Sequence, residues 1–255
     1  MSIMFNFAKK KTSSPNGSPD LIDEANDHFP DQDEYLYELV RGLIHKHNNL
    51  LTITQGYANL LQVSETLEEA RNHGRIIVEG AQKAVELNAK VMACAMQDQP
   101  KLAESDANFF LRGFAMKCQQ AAEKAHLTFN SNLDEGQTTI HTDIAWVEEI
   151  LTELLDNAVE AGISKPGSAI SLRSQRIGAG DAARLLITLE NEGKSPDEKT
   201  LEKAFVPFFT SKDRDHLGIG LTKAARYAQK LDIELSLDPT PQGAIASVAI
   251  PLTSS

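Results

Sequence analysis

Two consecutive helical repeats of apolar residues fill the stretch from Tyr35 to Met96, and they constrain the fold of this chain more than any other feature. In the first repeat the apolar positions recur at steps of three, four and seven, which is the spacing of one helix face. They are Leu36, Val40, Leu43, Leu50, Tyr57 and Leu61. The second repeat carries Ile77, Ala81, Ala84, Leu87 and Val91. The pattern predicts two long amphipathic helices, over 35–63 and 66–96, joined by a short turn around Ser64.

A single hairpin of two helices has too small a core to be stable by itself. Two copies of the hairpin would complete a four-helix bundle, in which each apolar face is covered. We therefore expect residues 34–98 to form a dimerisation domain and the chain to be a homodimer.

The sequence changes character after the polar, proline-containing linker "DQPKLAES". Helical segments now alternate with β-type runs, among them "SAISLRSQRI", "ARLLITLEN", "IELSL" and "AIASVAIPL". Residues 102–255 are predicted to form an α/β sandwich with helices on one sheet. Residues 1–33 are rich in Ser, Pro, Asn and Asp and lack a sustained period, which predicts a disordered tail. Its opening "IMFNF", next to three lysines, leaves open a contact with a membrane or a partner.

Charge and cysteine content exclude several classes of protein. A net charge of -11 argues against nucleic-acid binding, since phosphate contacts need a basic face. The two cysteines, Cys94 and Cys118, suggest neither a disulfide framework nor a zinc site. No apolar run reaches the roughly 18 residues of an integral membrane segment. These features are typical of a cytoplasmic protein.

Two histidines lie close together in the segment "LIHKHNNLL" of the first helix. Continuing the apolar stripe of that helix puts His47 on the packed face, whereas His45 falls on the solvent side. His47 is interpreted as a packing residue. His45 is either an ordinary exposed residue or a group placed for chemistry.

Two later segments carry groups suited to a phosphate ligand. The helix "WVEEILTELLDNAVEAG" is predicted to bury Val147, Ile150, Leu151, Leu154, Ala158 and Ala161. Its other face presents Glu153, Asn157 and Glu160, which is either a solvated face or a holder for hydrated Mg²⁺. In "FVPFFTSKDRDHLGIGL", Thr210, Ser211 and Lys212 precede Gly218 and Gly220, which open a helix. Glycines at a helix N-terminus let backbone N–H groups approach a polyphosphate.

Taken together, these segments resemble the core of a bacterial two-component sensor histidine kinase. "HKHNNLLT" is similar to the phosphoacceptor box of that family, "ELLDNAVEA" to its Asn box, "FVPFFTSK" to its Phe box and "GIGL" to its second glycine box. The resemblance implies a dimeric helical hairpin followed by a Bergerat-type ATP-binding sandwich. It also implies ATP and Mg²⁺ as ligands and the receiver domain of a response regulator as partner.

The resemblance assigns roles to individual residues. His45 would carry the phosphoryl group, Asn157 would coordinate Mg²⁺, and Glu153 would support the metal or its water. The nucleotide would be held by Glu153 and Asn157 together with Asn191, Gly193, Phe208, Thr210, Lys212, Gly218 and Gly220.

The chain departs from the family pattern in two boxes. The residue after the phosphoacceptor is normally Asp or Glu, which accepts the histidine proton, but here it is Lys46. The first glycine box, normally Asp-x-Gly-x-Gly, reads "NEGKS", with Asn191 in the place of the carboxylate and Ser195 in the place of a glycine. We expect autophosphorylation to be slow and adenine binding to be about tenfold weaker.

Three functions from different classes remain open on these residues. The first is a histidine kinase that phosphorylates His45 and passes the group to a response regulator. The second is a phosphotransferase or regulator phosphatase with a degenerate nucleotide domain, for which Asn49, one turn after His45, would orient water. The third is a binding scaffold without chemistry. In the first two, we expect the receiver domain to dock near Arg41, Asn48 and Thr52.

Overall fold

The structure is a computed structural model that describes residues 3–5, 32–95, 99–136, 138–165, 167–210 and 218–252. By their contacts these residues divide into two compact units. The hairpin unit spans residues 30–97 and 204–223. The sandwich unit spans residues 1–29, 98–203 and 224–255.

The hairpin unit contains the two predicted helices. Helix α1 runs over Gln32–Gln62 and helix α2 over Leu67–Ala95, each ending within a few residues of its predicted bounds. Gly80 of α2 lies against α1, because a Cβ atom at Gly80 would stand 2.7 Å from the Thr54 hydroxyl. Leu87 and Val91 are buried as expected, but Leu36, Val40, Leu61 and Ala81 are exposed, and Tyr35 and Leu39 are buried in place of Leu36 and Val40. One hairpin covers only part of its own apolar surface.

The turn between the helices is fixed by side-chain hydrogen bonds. Ser64 donates through its hydroxyl to the Leu60 carbonyl, 3.1 Å away, and lies 3.0 Å from Nδ1 of His73. Thr66 and Glu69 form a capping box at the start of α2: the Thr66 hydroxyl accepts from Glu69 N, and the Glu69 carboxylate accepts from Thr66 N. These bonds supply acceptors for N–H groups that the first turn of a helix leaves without partners.

The sandwich unit is built on a six-stranded sheet with the order β1-β7-β8-β6-β5-β3. Its strands are β1 Ile3–Phe5, β3 Thr128–Asn132, β5 Ala169–Ile177, β6 Arg184–Glu192, β7 Glu234–Thr240 and β8 Gly243–Pro251. All neighbouring strands are antiparallel except β3 and β5. Strands β2 Ala103–Asp106 and β4 Thr139–Thr142 form a separate antiparallel pair.

The remaining helices are α3 Ala107–Lys124, α4 Ile144–Ile163, α5 Glu198–Lys203 and α6 Gly220–Lys230, and residues 180–182 form one 3₁₀ turn. Asp106 caps α3 and Asp143 caps α4, each accepting two backbone N–H groups of the first turn. Asp197 accepts from Thr200 N before α5, and its hydrogen bonds with Thr200 hold the pKa of this carboxyl below its ordinary value.

Three details differ from the sequence-based expectations. Ile3–Phe5 form a strand on the edge of the sheet, within the segment predicted to be a disordered tail, whereas residues 6–31 lie outside the described residues. The sandwich has two sheets among its described residues rather than one. Ala161 is only partly buried, and Leu155 and Gly162 are buried in α4 instead. Strand partners far apart in the chain leave no periodic signal that could reveal the first two differences.

Candidate functional site

His45 lies on the exposed surface of α1, as the stripe of apolar residues predicts. Its Nδ1 is 3.3 Å from the side-chain nitrogen of Asn49, one turn later in the helix. An amide nitrogen can only donate, so Nδ1 accepts in this arrangement and the neutral ring carries its proton on Nε2. In this orientation of the Asn49 amide, the hydrogen bond favours the tautomer of His45 with its proton on Nε2.

His47 faces the second helix, and its role is more specific than simple packing. Its Nε2 lies 2.8 Å from the amide oxygen Oδ1 of Asn88 in α2. Because an amide oxygen only accepts, Nε2 of His47 donates. The ring is half-buried, and its hydrogen bond joins α1 to α2. His47 therefore helps to hold together the two helices of the hairpin, on which His45 is exposed.

Polar side chains before and after His45 on α1 have hydrogen-bond partners of their own. The carboxylate of Glu38 is engaged with Arg41, at 2.9 Å, in an ion pair between positions three apart on α1. Thr52 donates through its hydroxyl to the Asn48 carbonyl, 2.7 Å away. No hydrogen bond from the His45 ring to a carboxylate occurs among the described residues.

Glu153 and Asn157 are neighbours on the half-buried side of α4. The Asn157 amide donates through Nδ2 to the Glu153 backbone carbonyl, 3.0 Å away. This bond orients the amide, so that its oxygen, the atom a hard cation prefers, lies at the opposite end. The buried side of α4 packs into the sandwich through Val147, Ile150, Leu151 and Leu154. The predicted division of α4 into an apolar and a polar face is thus observed.

Asn191 and Gly193 lie at the end of β6. Asn191 is buried, with 6% of its surface exposed, and its Nδ2 is 3.4 Å from the Glu192 carbonyl. Gly193 adopts φ +151°, and a Cβ atom there would stand 2.8 Å from the carbonyl carbon of Ala161 in α4. The backbone of the "NEGKS" segment and the C-terminal end of α4 are therefore in close contact, which brings the first glycine box next to the Asn-box helix.

Phe208, Thr210, Gly218 and Gly220 belong to the segment 204–223 of the hairpin unit. Gly218 adopts φ +67°, and a Cβ atom there would stand 2.6 Å from the Phe209 carbonyl oxygen. The buried Thr222 hydroxyl donates to the Phe205 carbonyl, 3.1 Å away. These contacts hold Phe205 and Phe209 against the beginning of α6, whose first residue is Gly220. Thr210 is half-buried, and Lys212 lies outside the described residues.

The described residues contain no group of three or more His, Cys, Asp or Glu side chains that could hold a metal ion. The side-chain oxygens of Asn157 and Glu153 are of the hard type that Mg²⁺ takes, since this ion keeps several waters and binds through one or two protein oxygens together with substrate phosphates. Both cysteines are buried free thiols. Burial raises the pKa of Cys118 to about 12, so this thiol is no nucleophile at neutral pH.

Comparison with known proteins shows which folds resemble this arrangement of helices and strands. Residues 142–254 match the family of histidine kinase-, DNA gyrase B- and HSP90-like ATPases. The crystal structure of histidine kinase ThkA in complex with response regulator protein TrrA superimposes with a TM-score of 0.70 over 87% of this chain and 63% of that chain, at 18% sequence identity. The chain has the fold of a sensor histidine kinase core.

Two curated histidine kinases are also similar in sequence to this chain. The signal transduction histidine-protein kinase AtoS of Escherichia coli (strain K12) is 25% identical over 85% of this chain and 35% of its own length. Sensor kinase CckA of Brucella abortus (strain 2308) is 25% identical over 72% of this chain and 21% of its own length. This chain thus spans about a third of the length of AtoS and less of CckA. Within the part of the chain that the structure describes, none of the helices has the length and apolar character needed to cross a membrane.

Two residues of the hairpin unit form contacts that the sequence pattern does not predict. Asn88 was not recognised as the partner of His47, because the two residues are 41 positions apart and an exposed Asn in a helix carries no signal of its own. Gly42 lies under the ring of Phe208, where a Cβ atom would overlap the ring. A glycine inside a strongly helical run was the signal that could have drawn attention to it.

Proposed function

We propose that this chain is a two-component histidine kinase that phosphorylates His45 from ATP and passes the group to an aspartate of a response regulator. The single observation that carries the proposal is the exposed ring of His45 on a helical hairpin, in a chain whose residues 142–254 match an ATPase family. The relatives AtoS and CckA are named as kinases, and ThkA was crystallised with a response regulator.

Phosphorylation requires a ring nitrogen of His45 with a lone pair. That lone pair attacks the γ-phosphorus, the bond between this phosphorus and the bridging oxygen breaks, and its electron pair leaves with ADP. The ring then loses its remaining N–H proton to solvent. When Asn49 donates to Nδ1, the proton is on Nε2, which cannot attack. A half-turn of the Asn49 amide presents its oxygen to Nδ1–H and leaves the lone pair on Nε2.

The nucleotide site of the proposal uses the residues that the family resemblance names. Asn191 and Gly193 would hold the adenine side, and the backbone around Gly218 and Gly220 would approach the phosphates. Asn157 would ligate Mg²⁺ through its side-chain oxygen, with Glu153 supporting the ion or its water. Mg²⁺ would neutralise charge on the phosphates as the terminal group leaves. Thr210, Phe208 and Lys212 complete the proposed set.

The proposed kinase is slow and binds nucleotide weakly. Lys46 follows His45 and, as an ammonium group, has no lone pair with which to accept a proton. Solvent must therefore take the proton that a carboxylate takes in the family pattern. Asn191 offers adenine a neutral hydrogen bond, which contributes about 0.5–1.5 kcal/mol instead of the roughly 1.5–3 kcal/mol of a charged one.

A second function, removal of the phosphoryl group from the regulator, is favoured by one contact. The Asn49 amide lies 3.3 Å from the His45 ring on an exposed helix face, where it could orient a water molecule towards an aspartyl phosphate. Lys46 would attract the same phosphate. In this alternative the chain is a phosphotransferase or phosphatase, and the sandwich is a regulatory domain.

We also propose that the chain is a homodimer. Large apolar side chains recur at seven-residue intervals on the exposed surface of both helices of the hairpin unit. They are Tyr37, Ile44 and Leu51 on α1 and Val78, Val85 and Met92 on α2. This is the spacing of a coiled-coil seam, which a second hairpin would cover. A cytoplasmic location is proposed because both cysteines are free thiols, as expected in a reducing compartment.

The test is incubation of the purified chain with γ-labelled ATP and Mg²⁺, with His45→Ala and His47→Ala as matched histidine variants. Acid-labile label in the wild type and in His47→Ala, but not in His45→Ala, is the expected result. Because His47 bonds to Asn88, circular dichroism must first show that His47→Ala retains the hairpin.

The absence of label in the wild type, together with the absence of ATP binding by calorimetry, would contradict the kinase assignment. A receiver domain phosphorylated beforehand with acetyl phosphate would then be offered. Loss of its phosphate with the wild type and its persistence with Asn49→Ala would identify the phosphatase function.

A further inference from the structure

Gly42 stands in the interior of α1, where glycine destabilises a helix by about 1 kcal/mol relative to alanine. The ring of Phe208 lies directly over it, so that an added Cβ atom would overlap ring atoms Cγ, Cδ2 and Cε2. Gly56 of α1 and Gly74 of α2 have nothing within 4 Å of the same added atom. Only Gly42 among these three helical glycines is therefore explained by a side chain that needs the space.

Phe208 is held in this position by an unusual backbone. Its φ is +63°, a left-handed conformation that side chains other than Gly, Asn and Asp seldom adopt. The carbonyl carbon of Phe208 would stand 2.8 Å from a Cβ atom at Gly218, itself at φ +67°. Phe208 and Gly218 are thus close together and both in the left-handed region, and in this conformation the Phe208 ring lies against Gly42 of α1.

The ring docks beside the proposed phosphoacceptor without covering it. Gly42 and His45 are three positions apart on α1, and positions three apart are neighbours on a helix surface. His45 nevertheless remains exposed. Residues 204–223 group with the hairpin and not with the sandwich, which agrees with such an attachment.

We propose that Gly42 is a docking socket for Phe208, and that this contact positions the segment 204–210 beside His45. Phe208 then acts on the phosphoacceptor helix, a role different from the nucleotide contact that the family resemblance implies. The part of the proposal that concerns phosphorylation rests on the proposed kinase function. The socket itself does not, because it can be measured without nucleotide.

The test is Gly42→Ala, with Gly56→Ala and Gly74→Ala as matched controls, followed by hydrogen exchange of the backbone amides. All three changes favour the helix equally. In Gly42→Ala alone, the amides of residues 204–210 should exchange about tenfold faster, which corresponds to ~1.4 kcal/mol. Equal exchange rates for the amides of residues 204–210 in the three variants would contradict the proposed contact between Gly42 and Phe208.

A double-mutant cycle separates a direct contact from an indirect effect. Phe208→Ala should accelerate the same amides, and adding Gly42→Ala to it should change little, since the ring is already absent. Full additivity of the two changes would show that the residues act independently and would contradict the proposal.

The rate of His45 phosphorylation tests whether the contact between Gly42 and Phe208 positions the segment 204–210. The rate of His45 labelling from ATP should fall several-fold in Gly42→Ala at unchanged ATP affinity, and it should stay at the wild-type value in Gly56→Ala. An unchanged rate in Gly42→Ala, with faster exchange, would refute positioning while retaining the socket. If the wild type itself takes no label, the kinase proposal fails, and the exchange cycle still decides whether the socket exists.

Discussion

The neighbours of His45 along α1 determine which of its nitrogens can react. The orientation of the Asn49 amide favours one tautomer or the other, and Lys46 occupies the position of a proton acceptor without being able to accept. The position of His45 on the exposed face followed from the sequence, because helical spacing alone separates it from His47. The sequence did not predict the hydrogen bond between His45 and Asn49, because helical spacing does not determine the rotamers of side chains on an exposed face.

Lys46→Asp restores a carboxylate next to the proposed phosphoacceptor. The rate of His45 labelling should increase by tenfold or more, because general base catalysis contributes roughly 10²–10⁴ in favourable cases. Initial rates at saturating ATP measure this effect. Lys46→Gln serves as the control, since it removes the positive charge without adding a base. A similar gain in both variants would assign the effect to charge.

Asn191→Asp tests the first glycine box. ATP affinity measured by calorimetry should rise about tenfold, because a charged acceptor strengthens a hydrogen bond by ~1.4 kcal/mol. Without nucleotide the same variant should melt at a lower temperature, since position 191 is only 6% exposed and burial of an unpaired carboxylate is costly. An unchanged affinity would mean that this side chain does not contact adenine.

Secondary-structure elements were predictable where a local pattern specifies them. The runs containing alternating apolar residues became β5, β6, β7 and β8, and both long helices formed. The pairing of β2 with β4 and the addition of β1 to β7 join segments distant in the sequence. The contact between Gly193 and Ala161 is of the same kind, because the glycine alone does not reveal which helix it approaches.

The junction between β6 and α4 should be sensitive to one methyl group. Gly193→Ala combines φ +151° with a collision against the Ala161 backbone, and we expect it to lower the free energy of unfolding by about 2–3 kcal/mol. Gly167→Ala is the matched control, since Gly167 has φ +76° with nothing within 4 Å of an added Cβ atom. Gly167→Ala should lower the free energy of unfolding by only about 1 kcal/mol, which measures the cost of backbone strain alone. Chemical denaturation of both variants gives the comparison, and equal costs would contradict the collision.

At the scale of the whole molecule, the main feature is that the hairpin unit exposes many large apolar side chains. Val85 is 69% exposed and Leu51 is 58% exposed, although both lie on helices with a strong apolar repeat. The repeat from Leu36 to Leu61 on α1 and from Ile77 to Val91 on α2, which includes neither Leu51 nor Val85, predicted the hairpin and the homodimer. The hairpin is confirmed, and the homodimer stays a proposal.

Val85→Glu should convert the proposed dimer into a monomer, because a carboxylate in the apolar seam loses its water without gaining a partner. Light scattering coupled to size-exclusion chromatography measures the mass directly. Asn72→Glu adds the same charge at an exposed polar position of α2 and should leave the mass unchanged. A monomeric wild type at micromolar concentration would refute the dimer.

Trp146 provides the molecule with a natural optical reporter. It is the single tryptophan of the chain, stacked on Tyr227 of α6 with ring centroids 4.6 Å apart, and Lys230 Nζ lies 5.4 Å from its ring centroid. Indole fluorescence depends on such neighbours. A displacement of α6, whose first residue is Gly220, should therefore change the emission of the unlabelled protein and allow stopped-flow kinetics without an attached dye.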